Sequence, residues 1–321
     1  MAAAPRAHDC LVNVHFGDSE QPEYMFRVKN EYFKKDDSIF GKWDMPTVLE
    51  EMDANGVERA ILTASLTKLD GSPVKFAQAR PDRFALTAGG FDFLRPMPSI
   101  RLLESFIASN PVVSVSAGPS FWGDGMYPPS DAVYFPLYTK ACEWDLPVCM
   151  NAGLPGPPIP GEAQNPIYFD RVCVRFPELR LCMNTGLPGP PIPGEAQNPI
   201  YYDRVCVRFP ELKLCMIHGA DPWWDTAIRL MIKYPNLHLM TSAWAPKYLP
   251  EALLHYMRTR GKTKVIFASD APVLSITRTI GEAMVLDLPG EVRDNYLYGN
   301  AQRFFFGRLS AGGDSPGGDA E

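Results

Sequence analysis

Asn151-Ala-Gly-Leu-Pro-Gly-Pro-Pro-Ile-Pro-Gly-Glu-Ala-Gln-Asn-Pro166 opens a 33-residue stretch, 151–183, that is written twice. It returns over 184–216 with only Ala152/Thr185, Phe169/Tyr202 and Arg180/Lys213 changed. Each copy reads as a Pro/Gly-rich loop, a helix and a strand. Asn165-Pro166 opens the helix, Tyr168, Val172, Val174 and Phe176 supply its apolar positions, and 179–183 is the strand. One copy is therefore one unit of a parallel α/β sheet. Two copies fall short of the three or more that a solenoid needs, and neither flank carries the pattern.

Outward from the repeat the same alternation continues. Upstream, apolar runs at 11–16, 59–65, 84–88, 112–116 and 146–150 are separated by helical stretches such as 45–55, which ends at Gly56, a natural glycine stop. Downstream, runs at 212–217, 237–242 and 264–269 alternate with helices near 223–233 and 250–260, and helices close the chain. Short continuous apolar strands are those of a parallel sheet covered by helices on both faces. Without the extra unit there are eight strands. No G-x-G-x-x-G follows the first of them, so the expected fold is a (β/α)8 TIM-type barrel distorted by the duplicated helix–strand unit. Strand number, shear and tilt are linked in a barrel. One repeat unit is accordingly expected to be excluded as a bulge, or accommodated by a strained rearrangement.

The ends read as disordered tails, 1–10 and 310–321, which leaves 11–309 as one barrel domain carrying 151–183 and 184–216 as tandem duplicates. A polar and aromatic loop at 17–42 reads as a folded lid. The net charge of −6 speaks against a nucleic-acid or acidic-membrane partner, and no apolar run is long enough to span a bilayer. No signal-peptide pattern opens the chain, so the cytoplasm is the expected compartment. Seven cysteines without a C-x-x-C pair read as core thiols.

In barrels of this kind the active site forms at the C-terminal ends of the strands. That rule selects Asn13 and His15, which lie two apart and share a face, then Asn151, its copy Asn184, His218 and Asp270, with Trp223 just beyond His218. Imidazole and carboxylate at such ends suit a divalent metal or an acid/base pair. Trp223 is either helix-start packing or a pocket wall.

Taken together, Asn13-Val-His15, Leu214-Cys-Met-Ile-His218-Gly with Pro222-Trp223-Trp224-Asp225, Ser242-Ala-Trp244, Phe267-Ala-Ser-Asp270-Ala-Pro272 and Gly299-Asn-Ala-Gln-Arg-Phe-Phe resemble the amidohydrolase-2 family of the amidohydrolase superfamily. That family includes aminocarboxymuconate-semialdehyde decarboxylase. The resemblance implies a distorted barrel with a divalent metal, zinc or manganese as a rule, and a homodimer. It implies metal ligands at His15 and Asp270 and an acid/base role for His218. Asn13 and Asn151 stand where the family places histidines, and an amide carbonyl is a poor zinc ligand. A weaker oxygen-rich magnesium or manganese site stays open. The expected site is thus Asp270 and His218 as proton-transfer groups, His15, Asp270, Asn13 and Asn151 toward a metal, and Trp223, Trp244 and Asn184 toward substrate. Two functions stay open: a hydrolase or non-oxidative decarboxylase of a small cyclic or aromatic carboxylate, ester or lactone, and a non-catalytic binding barrel that has lost its metal.

Overall fold

The computed structural model describes residues 5–21, 23–27, 29–30, 40–41, 43–118, 127–151, 168, 172, 175–176, 178–184, 198–208, 210 and 213–307. The repeat loops and the 310–321 tail lie outside the described residues, as does most of the presumed lid after residue 30.

Among the described residues nine strands, all parallel and in sequence order, form a single curled sheet. They are β1 (Ala7–Val12), β2 (Val57–Ser65), β3 (Phe84–Gly89), β4 (Val112–Ala117), β5 (Val148–Met150), β6 (Leu181–Asn184), β7 (Leu214–Ile217), β8 (Leu237–Met240) and β9 (Val265–Ile266). The edges meet: Val12 bridges Ala271 just beyond β9, and the Asn13 amide donates to the Ala271 carbonyl at 2.7 Å.

Of the two expected outcomes, exclusion of one repeat unit is overturned, and with it the count of eight strands. β6 ends the first copy and β7 the second, and both are paired on both sides. The physical reason is register. Leu181, Cys182 and Met183 pair with Leu214, Cys215 and Met216, and on the other side with Val148, Cys149 and Met150. A duplicated strand carries the same inward and outward pattern as its parent, so it enters the sheet without turning a polar face to the core. The cost of a ninth strand is a wider interior.

The first strand also begins earlier than its hydrophobic run. Residues 7–10, expected in the tail, belong to β1 and are buried, while 13–16 lie past its end. The polar letters His8 and Asp9 mask this strand because each is satisfied inside. His8 Nε2 meets Gln302 Oε1 at 2.9 Å, and the Asp9 carboxylate accepts from the Ser269 amide at 3.0 Å and from the Ser269 hydroxyl.

Helices cover the outside with one apolar stripe each. Met45–Ala54 starts on Asp44, whose carboxylate accepts from the Thr47 amide at 2.9 Å. Trp224–Lys233 buries Trp224, Ala227, Leu230 and Met231, and Ile276–Met284 buries Ile276, Thr279, Ile280 and Ala283, the spacing of one helical face. The π-helical segment Gln302–Phe306 closes the floor of the barrel at the strand starts. Phe306 packs on His8, Phe304 on His238, and Arg180, just before β6, donates to the Phe304 carbonyl at 3.1 Å.

Candidate active site

The strands end where the chemistry collects, and at three of those ends the backbone is forced into the left-handed region. His218 after β7, Ala243 after β8 and Asp270 after β9 have φ of 64°, 61° and 62°. Such conformations cost a non-glycine residue on the order of 1–3 kcal/mol and persist only where the surroundings fix them. At His218 they do. Its amide donates to Ser242 Oγ at 3.2 Å, its Nδ1 lies 3.0 Å from the same hydroxyl, and its carbonyl accepts from the Trp244 indole at 2.8 Å. Gly219 follows with φ of 72°, and a Cβ there would lie 2.7 Å from both Trp224 and Trp244.

Across the mouth a second network ties β1, β2 and β9 together. Asn13 Nδ2 donates to Asp270 Oδ1 at 3.1 Å, the Thr63 hydroxyl donates to Asn13 Oδ1 at 2.8 Å, and His15 Nδ1 sits 2.9 Å from Thr63 Oγ1. Since Thr63 spends its proton on Asn13, His15 is the donor to Thr63, which leaves its Nε2 lone pair free. Asn13 thus cross-links the strand-nine carboxyl to the strand-two hydroxyl, and both ends of its amide are occupied.

Burial sets the protonation states. Desolvation raises the Asp270 carboxyl to about 7, helped by the charge of Asp9 and opposed by the Asn13 hydrogen bond. Asp9 is raised to about 6, again by burial, against its bonds to Ser269. Burial lowers His218 to about 4 and also lowers His15, so both imidazoles are neutral at neutral pH. The result is a carboxyl that exchanges a proton near pH 7 and two neutral imidazoles at the ends of neighbouring networks.

Below this rim the wide barrel holds a cavity of about 280 Å³. Asn151 and His218 stand on its lining at the mouth, Thr63, Thr87, Ser114 and Ser116 supply hydroxyl-bearing positions, and Cys149, Cys182, Met240 and Phe305 are among the less polar residues of the lining. His15 borders a separate, smaller recess of about 150 Å³ with Asp18 and Lys68.

The expected residues are therefore only partly gathered. Asn13, His15 and Asp270 share one network, and His218 and Asn151 share the cavity, with Thr63 common to both groups. Asn184 ends β6, with Ile217 as its strand partner, and its side chain lies outside the described residues. Trp223 precedes Trp224–Lys233, its amide bonded to the Ala220 carbonyl at 2.6 Å, and is not on the cavity lining. Trp244 packs edge-on against Trp224 and braces His218 from behind. Asp9, Thr63, Thr87 and Ser242 were not singled out from sequence. Ser242 belongs to the Ser242-Ala-Trp244 stretch, whereas a buried Asp9 beside Ser269 leaves no periodic signal.

The metal question turns on donors. Among the described residues no three His, Cys, Asp or Glu side chains converge. The Asn13 carbonyl is taken by Thr63, and its N–H points at Asp270, where it opposes a cation. These residues do not fit a tightly held zinc or manganese ion. The six described cysteines are free thiols, and no helix among the described residues is long and apolar enough to cross a membrane.

A family model described as amidohydrolase matches 44–184 and 182–307, its break falling at the junction of the two repeat copies. Solved structures share the fold at low identity. An uncharacterised TIM-barrel protein from Bordetella bronchiseptica superposes with a TM-score of 0.65 at 18% identity, covering 93% of this chain and 98% of that one. The 5-carboxyvanillate decarboxylase LigW from Sphingomonas paucimobilis gives 0.60 at 16%, covering 94% and 99%. A dihydroxybenzoic acid decarboxylase from Polaromonas, solved with bound manganese and the inhibitor 2-nitroresorcinol, gives 0.57 at 15%, covering 94% and 97%. No curated protein matches the chain.

Proposed function

Because the chain belongs to the amidohydrolase family, we propose that it is a non-oxidative decarboxylase of a small aromatic or cyclic carboxylate that works by proton transfer from Asp270. The observation that carries this reading is the Asp270 carboxyl, poised at about 7 and held by Asn13 through Oδ1, with Asn13 in turn bonded to Thr63 on the lining of a cavity of single-ring size. Support comes also from the structural neighbours, several of which decarboxylate aromatic acids.

In the proposed reaction the ring enters the cavity with its carboxylate at the mouth, beside Asn151 and His218. The Asp270 carboxylic acid gives its proton to the ring carbon that bears the carboxylate. The carbon–carbon bond then breaks, its electron pair returns to the ring, and CO2 leaves. One carboxylate and one proton become one C–H bond and one CO2, and solvent reprotonates Asp270. His15 and Thr63 hold Asn13, and through it the carboxyl, while Ser242 and Trp244 hold His218. No step runs through a metal, because the donor set does not fit one.

Asn13 in a histidine position favours a second reading, a barrel that binds such acids without converting them. Both are tested by following CO2 release from a panel of hydroxybenzoates, with cyclic esters and lactones alongside. Turnover by the native protein that falls about a hundredfold or more in Asp270→Asn supports the decarboxylase. Binding without turnover supports the second reading, and turnover unchanged in Asp270→Asn removes the proposed role of that residue.

A further inference from the structure

β3 runs out on two consecutive glycines, and the room they leave opens sideways from the cavity. Gly89 is the strand's inward position two after Thr87, and a Cβ there would lie 2.7 Å from Ser116 Oγ on β4. Gly90 has φ of 78°, and a Cβ on it would run into the Ser65 hydroxyl at the end of β2. A serine on each flanking strand thus goes with a bare position on β3. Beyond the glycines lies a recess of about 170 Å³, floored by Phe91 and Phe93 and edged by the backbone of Gly89, Gly90 and Gly118. Ser116 and Asn151 line this recess and the central cavity alike, so the two spaces adjoin at the gap between Gly89 and Ser116.

The lining says what the recess takes. Among the described residues no Lys, Arg, Asp or Glu stands on either space. Phe91 and Phe93 are buried with their rings 4.7 Å apart, and Phe93 lies 4.5 Å from Tyr134, so the floor is a fixed aromatic cluster rather than a mobile one. Gly90 is exposed, and Gly89, Ser116, Gly118 and Asn151 are half-buried, so a ligand arriving from the cavity meets open glycine backbone and two short side chains. The cavity's 280 Å³ holds one substituted ring, since about 150 Å³ takes a benzene, and the adjoining 170 Å³ has room for a second ring or a short hydrocarbon arm. A plain benzoate uses only the first space.

We propose that the recess behind Gly89 and Gly90 is a second subsite: it takes an uncharged aryl or short alkyl arm carried by the ring in the cavity, and Gly89 is the residue that admits it. That the ring belongs to an acid undergoing decarboxylation rests on the reading above. Admission of the arm does not, because it is an equilibrium property of the two spaces.

The test is binding of benzoate and biphenyl-3-carboxylate to the full chain by ligand-observed NMR titration, native and with Gly89→Ala or Ser116→Ala, each fold checked by a thermal melt. Gly89 lies outside the left-handed region and the Ser116 hydroxyl can turn aside, so alanine suits the backbone while filling the gap. The native protein should bind the biphenyl acid about tenfold tighter than benzoate, the gain from taking part of a second ring out of water. Gly89→Ala should bring that ratio to about one, and Ser116→Ala, which clears the other side of the gap, should raise it. A glycine with a purely structural role would give a lower melting temperature and an unchanged ratio. A native ratio near one, a ratio unchanged in Gly89→Ala, or no binding of either acid overturns the proposal. If Gly89→Ala fails to fold, Ser116→Ala decides, and a ratio at or below the native value overturns it. The expected ratios without turnover of any acid uphold the subsite and reject only the decarboxylase reading.

Discussion

Replacing Asp270 by Asn tests the electrostatic account of the site through stability as well as catalysis. The amide keeps the size of the carboxyl and an oxygen for the Asn13 N–H, whose bond to Asp270 is 3.1 Å long. What it removes is a group whose proton is held to about pH 7 in the fold, against about 3.9 in an unfolded chain. Between those values the folded state keeps a proton that the unfolded state gives up. The stabilisation is complete below about pH 4 and is lost as the pH rises through 7. At 1.36 kcal/mol per unit the shift is worth on the order of 2–4 kcal/mol, part of which is tempered by Asp9, raised in the same direction to about 6. The neutral histidines, His218 among them, act oppositely below pH 6.5, but they are common to both proteins and cancel in the difference. Urea melts of the two proteins at pH 4.5, 6 and 8 should therefore coincide near the acid end and diverge upward, with Asp270→Asn the more stable by about 2 kcal/mol or more at pH 8. Parallel curves, separated by a constant amount, would refute a near-neutral Asp270 and remove the general acid from the mechanism.

Gly219→Ala should destabilise the fold by about 2–3 kcal/mol, because the residue has φ of 72° and the added Cβ meets both Trp224 and Trp244 at 2.7 Å. Since Trp244 holds the His218 carbonyl, turnover should fall with it; urea melts and rates on the same preparation check both. Deleting residues 184–216 joins Met183 to Ile217 and rebuilds the strand Leu-Cys-Met-Ile-His with eight strands in all. The interior should narrow and toluene should no longer raise the melting temperature; a shift equal to that of the full chain would show that the ninth strand does not open the cavity.

Much of this architecture is legible in the sequence, for stated reasons. Fully buried parallel strands are continuous apolar runs, so the alternation from residue 57 onward and the strand ends at Asn151, His218 and Asp270 follow from hydrophobicity and the barrel rule. The start of β1 is hidden from hydrophobicity because its polar residues are paired inside the fold, His8 with Gln302 and Asp9 with Ser269, partners about 260 to 294 positions away. Strand number alone leaves open whether the extra unit is excluded or accommodated by rearrangement, and the in-register identity between β6 and β7 is what lets the copy enter.

The central claim is that proton transfer by Asp270 needs no tightly bound metal. It is tested most directly by measuring CO2 release from the best hydroxybenzoate before and after exhaustive chelation, with metal content determined by elemental mass spectrometry on the same sample. The account predicts turnover that survives chelation at less than about 0.1 metal per chain and declines above pH 7 as the Asp270 carboxyl loses its proton. Turnover abolished by chelation and restored by one equivalent of manganese or zinc would contradict it.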